Sequence, residues 1–148
     1  MRISKVLRIS TVGAVVASAA CFGVTSASAT VVGSGGCGGT GSVATYYNVP
    51  SGTWESYDIG NGTLSVEYIN NYSGIDVEYY KSAGSAITAD FVAWPFDSYE
   101  IKDQGSFSES AGQLKSYAWN GLGLLTGTCT VAGIDVVGQG YFTITISS

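Results

Sequence analysis

From Ser42 to the C-terminus, apolar and polar residues alternate with a period of two, and β-branched and aromatic side chains fall in runs of five to eight bounded by Gly, Asn, Asp and Ser. A period of two puts successive side chains on opposite faces of a strand, and the small polar clusters supply turns. The pattern predicts strands at 43–47, 53–59, 63–69, 75–81, 86–93, 98–102, 106–109, 113–119, 124–131 and 141–147, with a short apolar run at 134–137 left open between strand and loop. No stretch carries a sustained helical stripe. The fold class is therefore all-β. Short strands at this spacing favour an antiparallel β-sandwich, immunoglobulin-like in general architecture, with a small β-barrel as runner-up.

One hairpin follows residue by residue. Leu64, Val66 and Tyr68 alternate with Ser65 and Glu67, while Ile75, Val77 and Tyr79 alternate with Asp76 and Glu78. Joining the two apolar faces through an Asn71-Tyr72-Ser73-Gly74 loop pairs Val66 with Tyr79 and Tyr68 with Val77. Glu67 then lies opposite Glu78 at a Cβ separation of about 5 Å, and like charges so placed oppose pairing. Water and salt on an exposed face would screen them, or Lys81 or Lys102 would fold over them. The sharper alternative is a functional acidic patch with Asp76 and Tyr80 alongside. Further on, the run from Gly105 to Trp119 has the cadence of a strand, an Ala-Gly-Gln turn and a second strand.

Residues 1–29 follow a different pattern: basic Arg2, Lys5 and Arg8, an apolar stretch over 9–24, then Ala27-x-Ala29. This order reads as a secretory signal peptide cleaved after Ala29. The apolar stretch, interrupted by Ser10, Thr11 and Ser18, is short of the roughly 20 residues a membrane span needs. The expected product is secreted and extracellular, without a membrane partner after cleavage. Residues 30–42 form a Gly/Ser-rich leader, and 43–148 a single domain. Gly33-x-Gly35-x-x-Gly38 matches a dinucleotide fingerprint in spelling only, because it lacks the strand before it and the helix after it.

Losing the signal changes the charge balance. Lys81, Lys102 and Lys115 become the only basic side chains against all 11 carboxylates, with no Arg and no His. Such a surface repels phosphate backbones and anionic membranes, which excludes nucleic acid as a partner. Cys37 and Cys129, one near each end, read as a disulfide in an oxidising compartment. Closing a loop of about 90 residues contributes on the order of 4 to 5 kcal/mol in the chain-entropy model. The bond should staple the leader to the C-terminal strands.

The available chemistry is thin. Without His there is no Ser-His or Cys-His couple. Lys81-Ser82 and Lys115-Ser116 are neighbours that a strand points to opposite faces. Glu67 and Glu78, if opposed, match the carboxylate spacing of a retaining glycosidase, a match that any opposed acids on a sheet would give. Asp97, Glu100 and Asp103 offer three hard oxygen ligands to calcium in a turn-rich stretch, where a solvated loop is the simpler reading. Zinc lacks ligands. No cofactor, metal or catalytic set is expected.

What remains is a surplus of aromatic residues, 3 Trp, 10 Tyr and 5 Phe, beyond what so small a core requires. Tyr and Trp suit binding faces because each joins a flat apolar surface to a polar tip. The sequence therefore predicts a secreted non-catalytic module that binds an extracellular glycan or protein through an aromatic and acidic face: Tyr57, Glu67, Asp76, Glu78, Tyr80, Tyr117 and Trp119. A secreted inhibitor or toxin-like effector is the alternative, acting through a loop at 70–74 or at 94–97, where Trp94-Pro95 could hold a fixed turn with a cis bond. A small carboxylate-based glycosidase is the third reading. Oligomeric state is left open.

Overall fold

A computed structural model describes residues 41–97, 99–124 and 127–148. The expected signal peptide, the leader up to residue 40 and Cys37 lie outside the described residues. The elements are β1 (Ser42–Tyr46), β2 (Glu55–Asp58), β3 (Gly62–Ile69), β4 (Gly74–Lys81), β5 (Ile87–Trp94), β6 (Ile101–Lys102), β7 (Phe107–Glu109), β8 (Gln113–Asn120), β9 (Cys129–Val136) and β10 (Gly140–Ser147), with one 3-10 turn at Pro95–Asp97. The chain is all-β, as the period of two requires. The end of the expected strand at 124–131 and most of the run at 134–137, left open in the sequence, belong to one strand, β9, with Gly133 in its middle.

Six strands form one sheet, in the order β1-β10-β9-β5-β6 with β7 also on β5, and four form another, β2-β3-β4-β8. Pairing is antiparallel except at one edge, where β1 runs parallel to β10, a departure from the expected antiparallel arrangement. The inner pleats of both sheets meet in one core that includes Leu64, Val66, Val77, Phe91, Ile134, Ile144 and Ile146. Fully burying a side chain of this kind contributes roughly 1.5–3 kcal/mol. Tyr68 ties the sheets together, because its buried hydroxyl donates to the Ile146 carbonyl at 2.9 Å.

The β3–β4 hairpin exists with the predicted inner faces, but its register is corrected by two residues. Leu64 lies opposite Tyr79, Val66 opposite Val77, Tyr68 opposite Ile75 and Glu67 opposite Asp76, not Glu78. A slip of two leaves the same residues on the same face, so the apolar pattern does not choose between the two registers. The turn does. Asn70, Asn71 and Tyr72 all take left-handed conformations, at φ 51°, 53° and 62°, which Asn tolerates better than most residues. Ser73 closes the loop by donating its backbone N–H to Ile69 O at 3.2 Å and its hydroxyl to Asn70 O at 2.8 Å. Gly74, not Asp76, is opposite Ile69, and a Cβ there would fall 2.9 Å from Ile69 Cγ1.

The predicted turn near Gly112 is also present, with Gln113 N–H donating to Ser110 O at 3.2 Å. Its two arms part, because β7 joins the six-stranded sheet and β8 the four-stranded one. This turn therefore carries the chain from one sheet to the other. The Trp94-Pro95 bond is trans, since no peptide bond among the described residues is cis.

Candidate functional site

The outer pleat of the four-stranded sheet gathers carboxylates and hydroxyls in ordered rows. One row is Ser56, Ser65, Glu78 and Ser116; the next on one side is Glu67, Asp76 and Ala118; on the other side Asp58 and Thr63 lead to Tyr80 and Leu114. Ser56 and Ser65 share a hydroxyl hydrogen bond of 2.8 Å. Four carboxylates thus stand on one sheet face, and the lysines expected to fold over them lie elsewhere. Lys81 is on the inner pleat and 2 % exposed. Lys102 belongs to the other sheet, paired with Asp135 at 3.1 Å and Glu100 at 3.3 Å. Lys115 lies opposite the core residue Tyr79, and so follows the inner pleat of the edge strand β8.

Two acids of this face, Glu67 and Asp76, resist ionising. Burial pushes the Glu67 carboxyl above its ordinary range, and the neighbouring Asp76 and Glu78 charges push it further. Asp76 is raised by burial and by Glu78, with the Val77 backbone N–H pulling the other way. Asp76 Oδ1 is closed off from solvent and has no hydrogen-bond partner. Directly opposed pairs on a sheet have Cβ atoms about 4.5–5.5 Å apart and diagonal neighbours about 7–8 Å. The close pair is therefore Glu67 with Asp76, and Glu78 sits diagonally.

Of the seven residues assigned to a binding face by sequence, the structure brings four together: Glu67, Asp76, Glu78 and Tyr80. The other three occupy the opposite pleat. Tyr117 and Trp119 turn inward, with ring centroids 4.9 Å apart and Tyr117 6.5 Å from Phe91 of the facing sheet. Tyr57 lies opposite the core residue Leu64, but at the open edge of β2 it stays exposed. Of the calcium candidates, the Asp97 side chain lies outside what the structure describes. Glu100 is engaged by Lys102 and accepts from the Tyr141 hydroxyl at 3.3 Å, whereas Asp103 is raised by its own burial and by Asp90. Among the described residues no group of three or more His, Cys, Asp or Glu side chains is placed to hold a metal ion.

A second polar constellation was not anticipated from sequence. A cavity of about 150 Å³ is lined by Ile59, Asn61, Tyr79, Lys81, Gln139 and Phe142 among others. Lys81 donates from Nζ to the Ala83 carbonyl at 2.6 Å. Glu109, 1 % exposed, completes no hydrogen bond with either carboxylate oxygen. Burial raises its pKa, while the Lys81 backbone N–H and the Lys115 and Lys81 charges pull it back. The signal was present in the alternation: Lys81 continues the 75, 77, 79 face, and Glu109 shares a face with Phe107.

Compared with protein families, with curated proteins and with solved structures, the chain matches none of them. Its function is therefore argued from the geometry alone.

Proposed function

We propose that the protein is a secreted, non-catalytic β-sandwich module that binds the basic surface of an extracellular protein through the outer face of its four-stranded sheet. The supporting observation is the row of Glu67 and Asp76 with Glu78 and Asp58 on the adjoining rows, a face without a lysine among the described residues. A partner that brings Lys or Arg side chains removes the mutual repulsion of these acids. Exposed Tyr80 adds a flat apolar surface at the same site, of the kind enriched at protein interfaces. Catalysis has no comparable support, because the opposed pair stands on the sheet face and neither member borders the cavity. Export is expected to oxidise Cys129 with Cys37.

The test is capture of basic and neutral extracellular proteins, together with a glycan array, by the immobilised protein at two salt concentrations. Binding of basic proteins should weaken as salt shortens the screening length from about 10 Å at 0.1 M. The double variant Glu67→Gln/Asp76→Asn should lose most of it. Salt-independent binding to neutral glycans that survives this variant would replace the reading with a sugar-binding one.

A further inference from the structure

Strand β8 closes one end of the four-stranded sheet, and among the described residues no strand pairs with its other side. Every second residue of such a strand directs its backbone N–H and C=O away from the sheet. The remaining edge strands are short: β1 has 5 residues, β2 has 4, β6 has 2 and β7 has 3, against 8 in β8. Short edges protect a sheet from pairing with another chain, and a long straight one invites it. β8 pairs with β4 over its whole length without a shift of register. It contains no proline and carries one charge, Lys115. Leu114, Ser116 and Ala118 on its outer pleat are exposed, and Tyr117 and Trp119 on its inner pleat stay partly open.

We propose that β8 takes up an extended segment of a basic protein partner as a fifth, antiparallel strand of this sheet. The proposal rests on the function proposed above and names how the partner is held. In such strand additions the backbone pairing supplies affinity, and alternate side chains choose the partner. Reading inward from the edge, Leu114 is level with Tyr80, Ser116 with Glu78, and Ala118 with Asp76 and then Glu67. The two small residues stand directly between the edge and the acids. An added strand lies two strand spacings from β4, about 10 Å, and a Lys or Arg side chain laid across Ser116 or Ala118 spans that distance to a carboxylate extending toward it. Beside exposed Leu114 and Tyr80 the fitting residue is apolar.

All pairs in this sheet are antiparallel. Continued in that sense, the incoming segment reads basic, x, basic, x, apolar along its outer pleat. Its intervening residues fall beside Tyr117 and Trp119, where β-branched side chains pack well. A second copy of this chain fits less well. Pairing β8 antiparallel with itself brings outer pleat beside outer pleat, and that row of β8 holds no Lys or Arg, because Lys115 follows the inner pleat.

The probe is the end-blocked peptide Thr-Lys-Thr-Lys-Thr-Val-Thr, added to isotope-labelled protein. Alternate β8 amides should exchange at least about ten-fold more slowly with peptide bound, and nuclear Overhauser contacts should join the peptide backbone to β8. Two N-methylated versions decide the mode, one methylated at the Lys and Val residues and the other at the Thr residues. Only one of these sets of N–H groups faces β8 in an added strand, so one version should lose at least about ten-fold in affinity while the other retains it. Equal binding of both versions would overturn the inference and leave the acidic face as a binding surface. Equal binding of the parent peptide to the wild type and to Glu67→Gln/Asp76→Asn would overturn the proposed function, and the charge pattern of the segment with it. Absence of peptide binding would overturn the strand addition even where basic proteins are still captured. So would β8 amides that slow in the free protein as its concentration rises, which would assign the edge to a second copy.

Discussion

Gly133 sits in the middle of the central strand β9, a position where glycine ordinarily weakens a sheet. Space explains it. A Cβ at Gly133 would run into the Phe142 carbonyl oxygen and lie 2.8 Å from Thr143 Cα, and the Trp94 and Tyr141 rings close over the same row. Gly133→Ala should therefore destabilise through overpacking by about 1–3 kcal/mol. That corresponds to a fall in melting temperature of several degrees for a domain of this size. An unchanged melting curve would mean that β9 and β10 can separate freely. In sequence this glycine fell between the expected strand at 124–131 and the open run at 134–137, because alternation alone does not distinguish a turn from a close approach of backbones.

At the scale of elements, alternation revealed nearly every strand and, for β3 and β4, which side faces the core. It left undetermined what depends on partners distant in sequence: the hairpin register, the parallel β1–β10 edge and the transfer from β7 to β8 between sheets. The candidate site was legible to the same extent. Glu67, Asp76, Glu78 and Tyr80 share a face by parity, whereas Tyr117 and Trp119 face inward because they lie opposite the core residues Val77 and Ile75. The buried pair Lys81 and Glu109 was missed because charged residues are expected outside. The two groups belong to different sheets, and the Lys81 charge lowers the Glu109 pKa without an ion pair between them. Lys81→Met should destabilise by about 3 kcal/mol, since it removes a cation near a buried carboxylate. Lys81→Met/Glu109→Gln should recover part of that loss. Additive effects in the double-mutant cycle would show that the two groups act independently.

Over the whole of the described residues, the acids with a resolved shift move in one direction. Glu55, Glu67, Asp76, Asp103 and Glu109 are all raised from ordinary values of 3.8 for Asp and 4.5 for Glu, each with burial as the largest cause. Between those ordinary values and the raised ones the folded chain holds more protons than the unfolded chain, so stability falls as pH rises through that window. Their favourable contribution is complete below the ordinary values and is lost as pH climbs through the raised ones. The excess of carboxylates over lysines acts in the same sense, because protonation relieves self-repulsion. The melting temperature of the free protein should therefore rise as pH is lowered from 7.5 to 5, and Glu67→Gln/Asp76→Asn should flatten the slope. Binding to a basic partner should move the opposite way, weakening on acidification as the sheet face loses charge. A free protein that melts at progressively lower temperature between pH 7.5 and 5 would show that ion pairs, not buried and unpaired acids, dominate its response to protons.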